Sequence, residues 1–125
     1  MRILAFLAAI AIASPAAAFR GDIGLRVTKE AGSNFTVEYK SRAQLTDYWC
    51  AAGRFVTVTM GLPDRTRVYR LSPPPRKSGE GIRFTLDASL SAGETGLTTF
   101  GGPQDGSMSA GGAFAQFCND FDIDF

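Results

Sequence analysis

Between positions 65 and 77 the chain places Arg65, Arg67, Arg70, Arg76 and Lys77, with Tyr69 in their midst and no acidic residue among them. Arginine forks match carboxylate and phosphate geometry, so the cluster is a candidate site for an anionic ligand or partner. If residues 65–71 form a strand, side chains alternate, and Arg67 and Tyr69 share one face. A structural role competes with this one, because charge on an edge strand discourages sheet-to-sheet pairing.

The other chemistry-bearing residues are sparse. There is no histidine, which removes Ser-His and Cys-His nucleophile pairs and every histidine-ligated metal site. Asp47, Asp64, Glu80 and Asp87 are the carboxylates from which a hydrolase pair would have to come, and spacing alone brings no two of them together. Asp120, Asp122 and Asp124 alternate as at the start of a calcium loop. The glycine at its sixth position and the glutamate at its twelfth are missing, so a solvated acidic terminus and no metal are expected. Phe121, Ile123 and Phe125 alternate like the last strand of an outer-membrane barrel, but the chain has too few alternating ten-residue segments to close one. Lys77-Ser78-Gly79 matches one box of the penicillin-binding proteins without any Ser-x-x-Lys pair. Gly79-Glu80-Gly81 and Gly101-Gly102 lack the strand-to-helix setting of a nucleotide-binding loop. Asn34-Phe35-Thr36 is a glycosylation acceptor only in a eukaryotic secretory path. No cofactor is expected.

The chain has 125 residues. Met1 and Arg2 precede an apolar run from Ile3 to Ala13, then Ser14-Pro15 and the small residues Ala16 to Ala18, the pattern of an export signal cleaved after Ala18. The run is too short to cross a bilayer, so no membrane span is expected after cleavage. Residues 19–125 then make a single domain in the periplasm or outside the cell. Within it, residues 19–83 carry 12 basic and 6 acidic groups, and residues 84–125 carry 6 acidic and no basic ones. Zero net charge gives no general attraction to nucleic acid, and the simplest use of this asymmetry is attraction between the halves. Cys50 and Cys118 are the two cysteines. In an oxidising compartment they are expected to pair, and their separation argues for a structural staple rather than a redox pair.

The elements that must position these groups follow from periodicity. Residues 23–29 and 34–40 alternate apolar and polar around Ala31-Gly32-Ser33, predicting a hairpin with Ile23, Leu25, Val27, Phe35, Val37 and Tyr39 on its apolar sides. From 43 to 60, Leu45, Tyr48, Trp49, Ala52, Phe55, Val56 and Met60 make a helical stripe, with Ser41 as cap and Gly61-Leu62-Pro63 as stop. Phe55-Val56-Thr57-Val58-Thr59 has strand propensity, but the stripe runs through it and favours helix. Trp49 sits mid-stripe, as the centre of a core. Cys50 projects off the stripe with Thr46, Gly53 and Thr57, and Gly53 lets a second element approach there. Residues 65–71 and 81–86 predict a second hairpin around a loop with three prolines. Residues 93–112 hold seven glycines and read as loop, with a short strand at Leu97 to Phe100. Phe114, Phe117, Cys118 and Phe121 then recur at helical spacing. The expected fold is α+β: a two-layer domain of antiparallel hairpins packed on a long helix and a short C-terminal helix, with one disulfide joining the helices.

Tyr48-Trp49-Cys50-Ala51-Ala52-Gly53, with Arg67-Val68-Tyr69-Arg70 and Phe84-Thr85-Leu86-Asp87, resembles a group of small, uncharacterised exported proteins of Gram-negative bacteria. The resemblance covers about the central 40 residues. It implies an envelope location and brings no activity with it. The expected function is an exported, non-enzymatic accessory module that binds an anionic protein or envelope component through Arg65, Arg67 and Arg70. The alternatives are a histidine-free hydrolase with a carboxylate pair, and an inhibitor that inserts its proline loop into an envelope enzyme.

Overall fold

The computed structural model describes residues 24–97 and 105–118. The export signal, residues 98–100 of the expected Leu97 to Phe100 strand, and the tail that holds Phe121 lie outside them. Leu97 itself is in no strand. The fold is α+β. Five antiparallel strands, β1 (Val27–Lys29), β2 (Phe35–Val37), β3 (Arg67–Arg70), β4 (Ile82–Thr85) and β5 (Ser107–Ser109), form one sheet in the order β1-β2-β4-β3-β5. Both expected hairpins are present, and pairing of β2 with β4 fuses them, with Phe35 opposite Phe84 and Val37 opposite Ile82.

That register decides which side chains meet, because opposed residues project from the same face. One face carries Val27, Phe35, Val37, Ile82, Phe84, Val68, Arg70 and Met108; the other carries Thr28, Thr36, Arg83, Thr85, Tyr69, Arg67, Ser107 and Ser109. The apolar face is covered by helix α1 (Leu45–Arg54). The N-cap of α1 is Gln44 and not Ser41. Asp47 in the first turn accepts a hydrogen bond from the Gln44 N–H at 2.8 Å, which satisfies a donor the helix leaves free.

The ambiguous Phe55-to-Thr59 segment continues the helix as a π-helical turn, with Met60 N–H donating to the Phe55 carbonyl at 2.9 Å. The wider spacing keeps Phe55 against Phe35, ring centroids 4.9 Å apart, and Val56 fully buried. Gly61, at φ 68°, then turns the chain away. Trp49 meets Phe84 edge-on at 4.8 Å and lies at 0% exposure, so it is the core's centre, as its place in the stripe predicts.

Helix α2 (Ala110–Phe117) packs on α1 where Gly53 sits. A Cβ on Gly53 would lie 2.6 Å from the Ala110 carbonyl oxygen and 2.9 Å from the Ala113 Cβ, so only glycine admits this approach. Cys50 and Cys118 are bonded across the same contact, Cα atoms 5.0 Å apart. Closing so long a loop stabilises by up to about 4 kcal/mol through the unfolded chain. The glycine-rich segment departs from its expected reading as loop, since it contributes β5. Ser107 to Ser109 lack an apolar pattern of their own and are recruited by pairing with β3, Val68 opposite Met108. No described helix is long and apolar enough to cross a membrane.

Candidate functional site

Strand β3 does not present its cations together. Arg67 and Tyr69 share the polar face, as alternation predicts, and both are half-buried. Arg70 points the other way with Val68, and its side chain is only 1% exposed. As a surface contact for a partner, Arg70 is therefore corrected: the period of two that pairs Arg67 with Tyr69 sends Arg70 under α1. Arg65 lies exposed just before the strand, and Arg76 and Lys77 lie in the proline loop beyond its far end.

Each arginine finds a different kind of partner. Arg67 donates from Nε at 3.3 Å and Nη2 at 2.9 Å to Ser107 Oγ, which itself donates to Asp105 Oδ1 at 2.6 Å. The Ser107 hydroxyl is the largest influence holding the Asp105 carboxyl below its ordinary pKa, with Arg67 a smaller one. Arg76 donates to the Glu80 carbonyl at 3.0 Å, with its guanidinium 5.0 Å from the Tyr48 ring centroid and 5.7 Å from that of Tyr39. Cation–π attraction and the carbonyl together pin the loop to the helix and to the end of β2.

Arg70 is the most constrained of the set. Its Nε donates to the Ser72 carbonyl at 2.7 Å and its Nη1 to the Thr95 carbonyl at 3.1 Å, an oxygen that also accepts from Trp49 Nε1 at 3.3 Å. Its buried Nη2 has no hydrogen-bond partner. A Cβ built on Gly96, where φ is +83°, would lie 2.6 Å from Arg70 Nη1 and 3.3 Å from both Leu45 Cδ2 and Pro74 Cβ, so the Gly96 backbone sits close against the guanidinium, with Leu45 and Pro74 beside it. Burial lowers the Arg70 pKa, the like charge of Arg76 lowers it further, and Glu94 opposes them. Arginine still keeps its proton at neutral pH, so a charge sits in the core.

Among the described residues, none of Arg65, Arg67, Arg70, Arg76 and Lys77 has a carboxylate oxygen within 4.0 Å, whereas Arg83 on β4 pairs with Glu30 at 3.0 Å. Among the described residues, Arg67 meets Asp105 of the acidic half through Ser107, and the field of Glu94 acts on Arg70; Asp120, Asp122 and Asp124 lie outside them. The carboxylates considered for hydrolysis are placed as follows. Asp47 caps α1, Asp87 accepts from Ser89 N at 2.9 Å and Ser89 Oγ at 2.7 Å, and Glu80 lies in the loop. Asp64 stands beside Gly111, where its backbone carbonyl accepts from the Gly111 N–H at 2.8 Å. The Ser89 hydroxyl, then its N–H, holds the Asp87 carboxyl below its ordinary pKa, the opposite of what a general acid needs. No group of three or more metal-ligating residues occurs among the described residues.

The Asp105-Ser107-Arg67 chain was missed from sequence, because β5 itself was not legible. The inward direction of Arg70 was available from parity with Val68. No family model, curated protein or solved structure matches this chain significantly.

Proposed function

We propose that the protein is an exported accessory module that binds an anionic protein or envelope component through Arg65, Arg67, Arg76 and Lys77, with Tyr69 beside Arg67. The observation that carries this reading is the absence of any carboxylate partner for these cations among the described residues, on a sheet whose neighbouring strand does pair its arginine. Arg65 and Arg67 stand at one end of β3 and Arg76 and Lys77 beyond the other. Arg67 stands on the polar face of the sheet, whereas Arg76 lies against Tyr39 and Tyr48 on the helix side, which favours a partner with acidic groups spread along its surface. Export is inferred from the Met1-to-Ala18 pattern and supported by the disulfide.

Capture from an envelope extract tests the proposal, with the oxidised mature protein beside the variant carrying Arg65→Ser, Arg67→Ser, Arg76→Ser and Lys77→Ser. A partner held by the wild type, weakened by salt and lost with the variant is the expected result. Equal capture by both, or capture of nothing, would refute it.

One observation favours a second reading, an inhibitor of an envelope enzyme. Arg76 holds the proline loop to Tyr39, Tyr48 and the Glu80 carbonyl, and residues 77–80 remain exposed at its tip. Such a pre-organised loop is suited to entering a cleft. Inhibition of lysozyme or a protease by the wild type, lost on Lys77→Ala with Glu80→Ala, is the corresponding assay.

A further inference from the structure

Arg70 is a buried cation whose hydrogen-bonding is incomplete. A guanidinium has five N–H donors. One on Nε goes to Ser72 and one on Nη1 to Thr95, leaving one on Nη1 and both on Nη2. Because Nε is occupied, the side-on fork of Nε and Nη2 is blocked. The end-on side, formed by Nη1 and Nη2, keeps its Nη2 donors, and it is the side that fits two oxygens of one oxyanion. Both bonds that Arg70 does make go to neutral carbonyls, so they orient the group, and Glu94 opposes its charge only at a distance, without a direct contact. The second cation, Arg76, enters the same corner from the loop.

We propose that the Nη1–Nη2 end of Arg70, set against Gly96 and flanked by Arg76, is a subsite for a single oxyanion, a carboxylate or phosphate group. The proposal rests on the reading above that the partner is anionic, and it names the group that penetrates deepest. Nη2 has less than 1 Å² of exposed surface, so the anion reaches it by displacing the chain around Gly96 and Pro74. An internal water would complete the hydrogen bonds equally well and leave the charge as it is, which gives the experiment its contrast.

The test uses the full oxidised protein in a buffer free of oxyanions, titrated with inorganic phosphate, with acetate, and with potassium chloride at matched ionic strength. Melting temperature and the side-chain 15N–1H signals of Arg70 are followed. Phosphate or acetate is expected to raise the melting temperature saturably above chloride and to move the Arg70 signals. A response to phosphate alone assigns a tetrahedral ion; a response to both assigns any group with two adjacent oxygens. Glu94→Gln should tighten the response and Arg76→Gln weaken it, each by roughly threefold, the size of one partly screened charge. These variants keep the test decisive if Arg70→Met does not fold.

No shift beyond chloride, in the wild type or in Glu94→Gln, would mean that water fills the corner and would overturn the proposal. So would an undiminished shift in a folded Arg70→Met protein. The two readings stay distinguishable, because the phosphate response is read on the wild-type protein without any partner, whereas capture is read as partner held. Loss of the phosphate response with capture intact removes the subsite and spares the binding module.

Discussion

Two neighbouring strands treat the same residue type in opposite ways. On β4, Arg83 faces Thr36 across the ladder and reaches Glu30, which already accepts a hydrogen bond from the Thr36 hydroxyl. On β3, Arg67 stands opposite Ser109 and Arg70 opposite Phe84, and neither meets a carboxylate among the described residues. On each strand, parity decides which face an arginine takes, and the groups on that face decide what it meets. The paired arginine is a surface element of little energetic weight. The others divide into Arg70, which clasps two loops from the core, and Arg65, Arg67, Arg76 and Lys77, which the proposal above assigns to a partner.

The largest effect is expected from breaking the core member. Arg70→Ala removes the donors to the Ser72 and Thr95 carbonyls and should cost about 3 kcal/mol in denaturant unfolding. Arg70→Met, which keeps the packing and removes the buried charge, should recover about 1 kcal/mol of that loss. Equal losses for the two would show that charge burial carries no weight here. Next comes Gly96→Ala, which places a Cβ against Arg70 Nη1 at a left-handed backbone position and should cost about 2 kcal/mol; an unchanged melting curve would contradict the close approach of Gly96 to the guanidinium.

The paired arginine should respond less. Thr36, then Arg83, lower the Glu30 pKa from 4.5, while burial opposes them. A depressed carboxylate pKa stabilises above the unfolded value, and that contribution is lost as pH falls through the folded one. Melting between pH 6 and pH 3 should therefore show an acid loss that Glu30→Gln reduces, and screening keeps the pair's own share under about 1 kcal/mol. A variant with the same acid slope as the wild type would remove Glu30 from the account. Smallest of all, Arg65→Ser should change stability by less than about 0.5 kcal/mol, since the residue is exposed and its side chain makes no hydrogen bond or ion pair among the described residues.

How much of this was legible in the chain depends on the range of the forces involved. Period-two alternation located both hairpins, and the stripe through Trp49 located the helix, including the part that winds as a π turn. The off-stripe position of Cys50, with Gly53 one turn on, pointed to the helix that docks there. Ser107 to Ser109 could not be found in the same way, because a polar three-residue segment becomes a strand only through its partner β3. The candidate site was half legible. Alternation placed Arg67 beside Tyr69. The same alternation sent Arg70 inward, a consequence hidden by treating the cluster as one surface.

The most direct measurement sets the two classes of arginine side by side in the capture assay. The bait lacking Arg65, Arg67, Arg76 and Lys77 is compared with one lacking the pair through Glu30→Gln and Arg83→Gln, both checked for native melting. The first is expected to lose the partner held by the wild type and the second to keep it. A partner retained by the first, or lost equally by both, would contradict the claim that the unpaired cations are the binding surface.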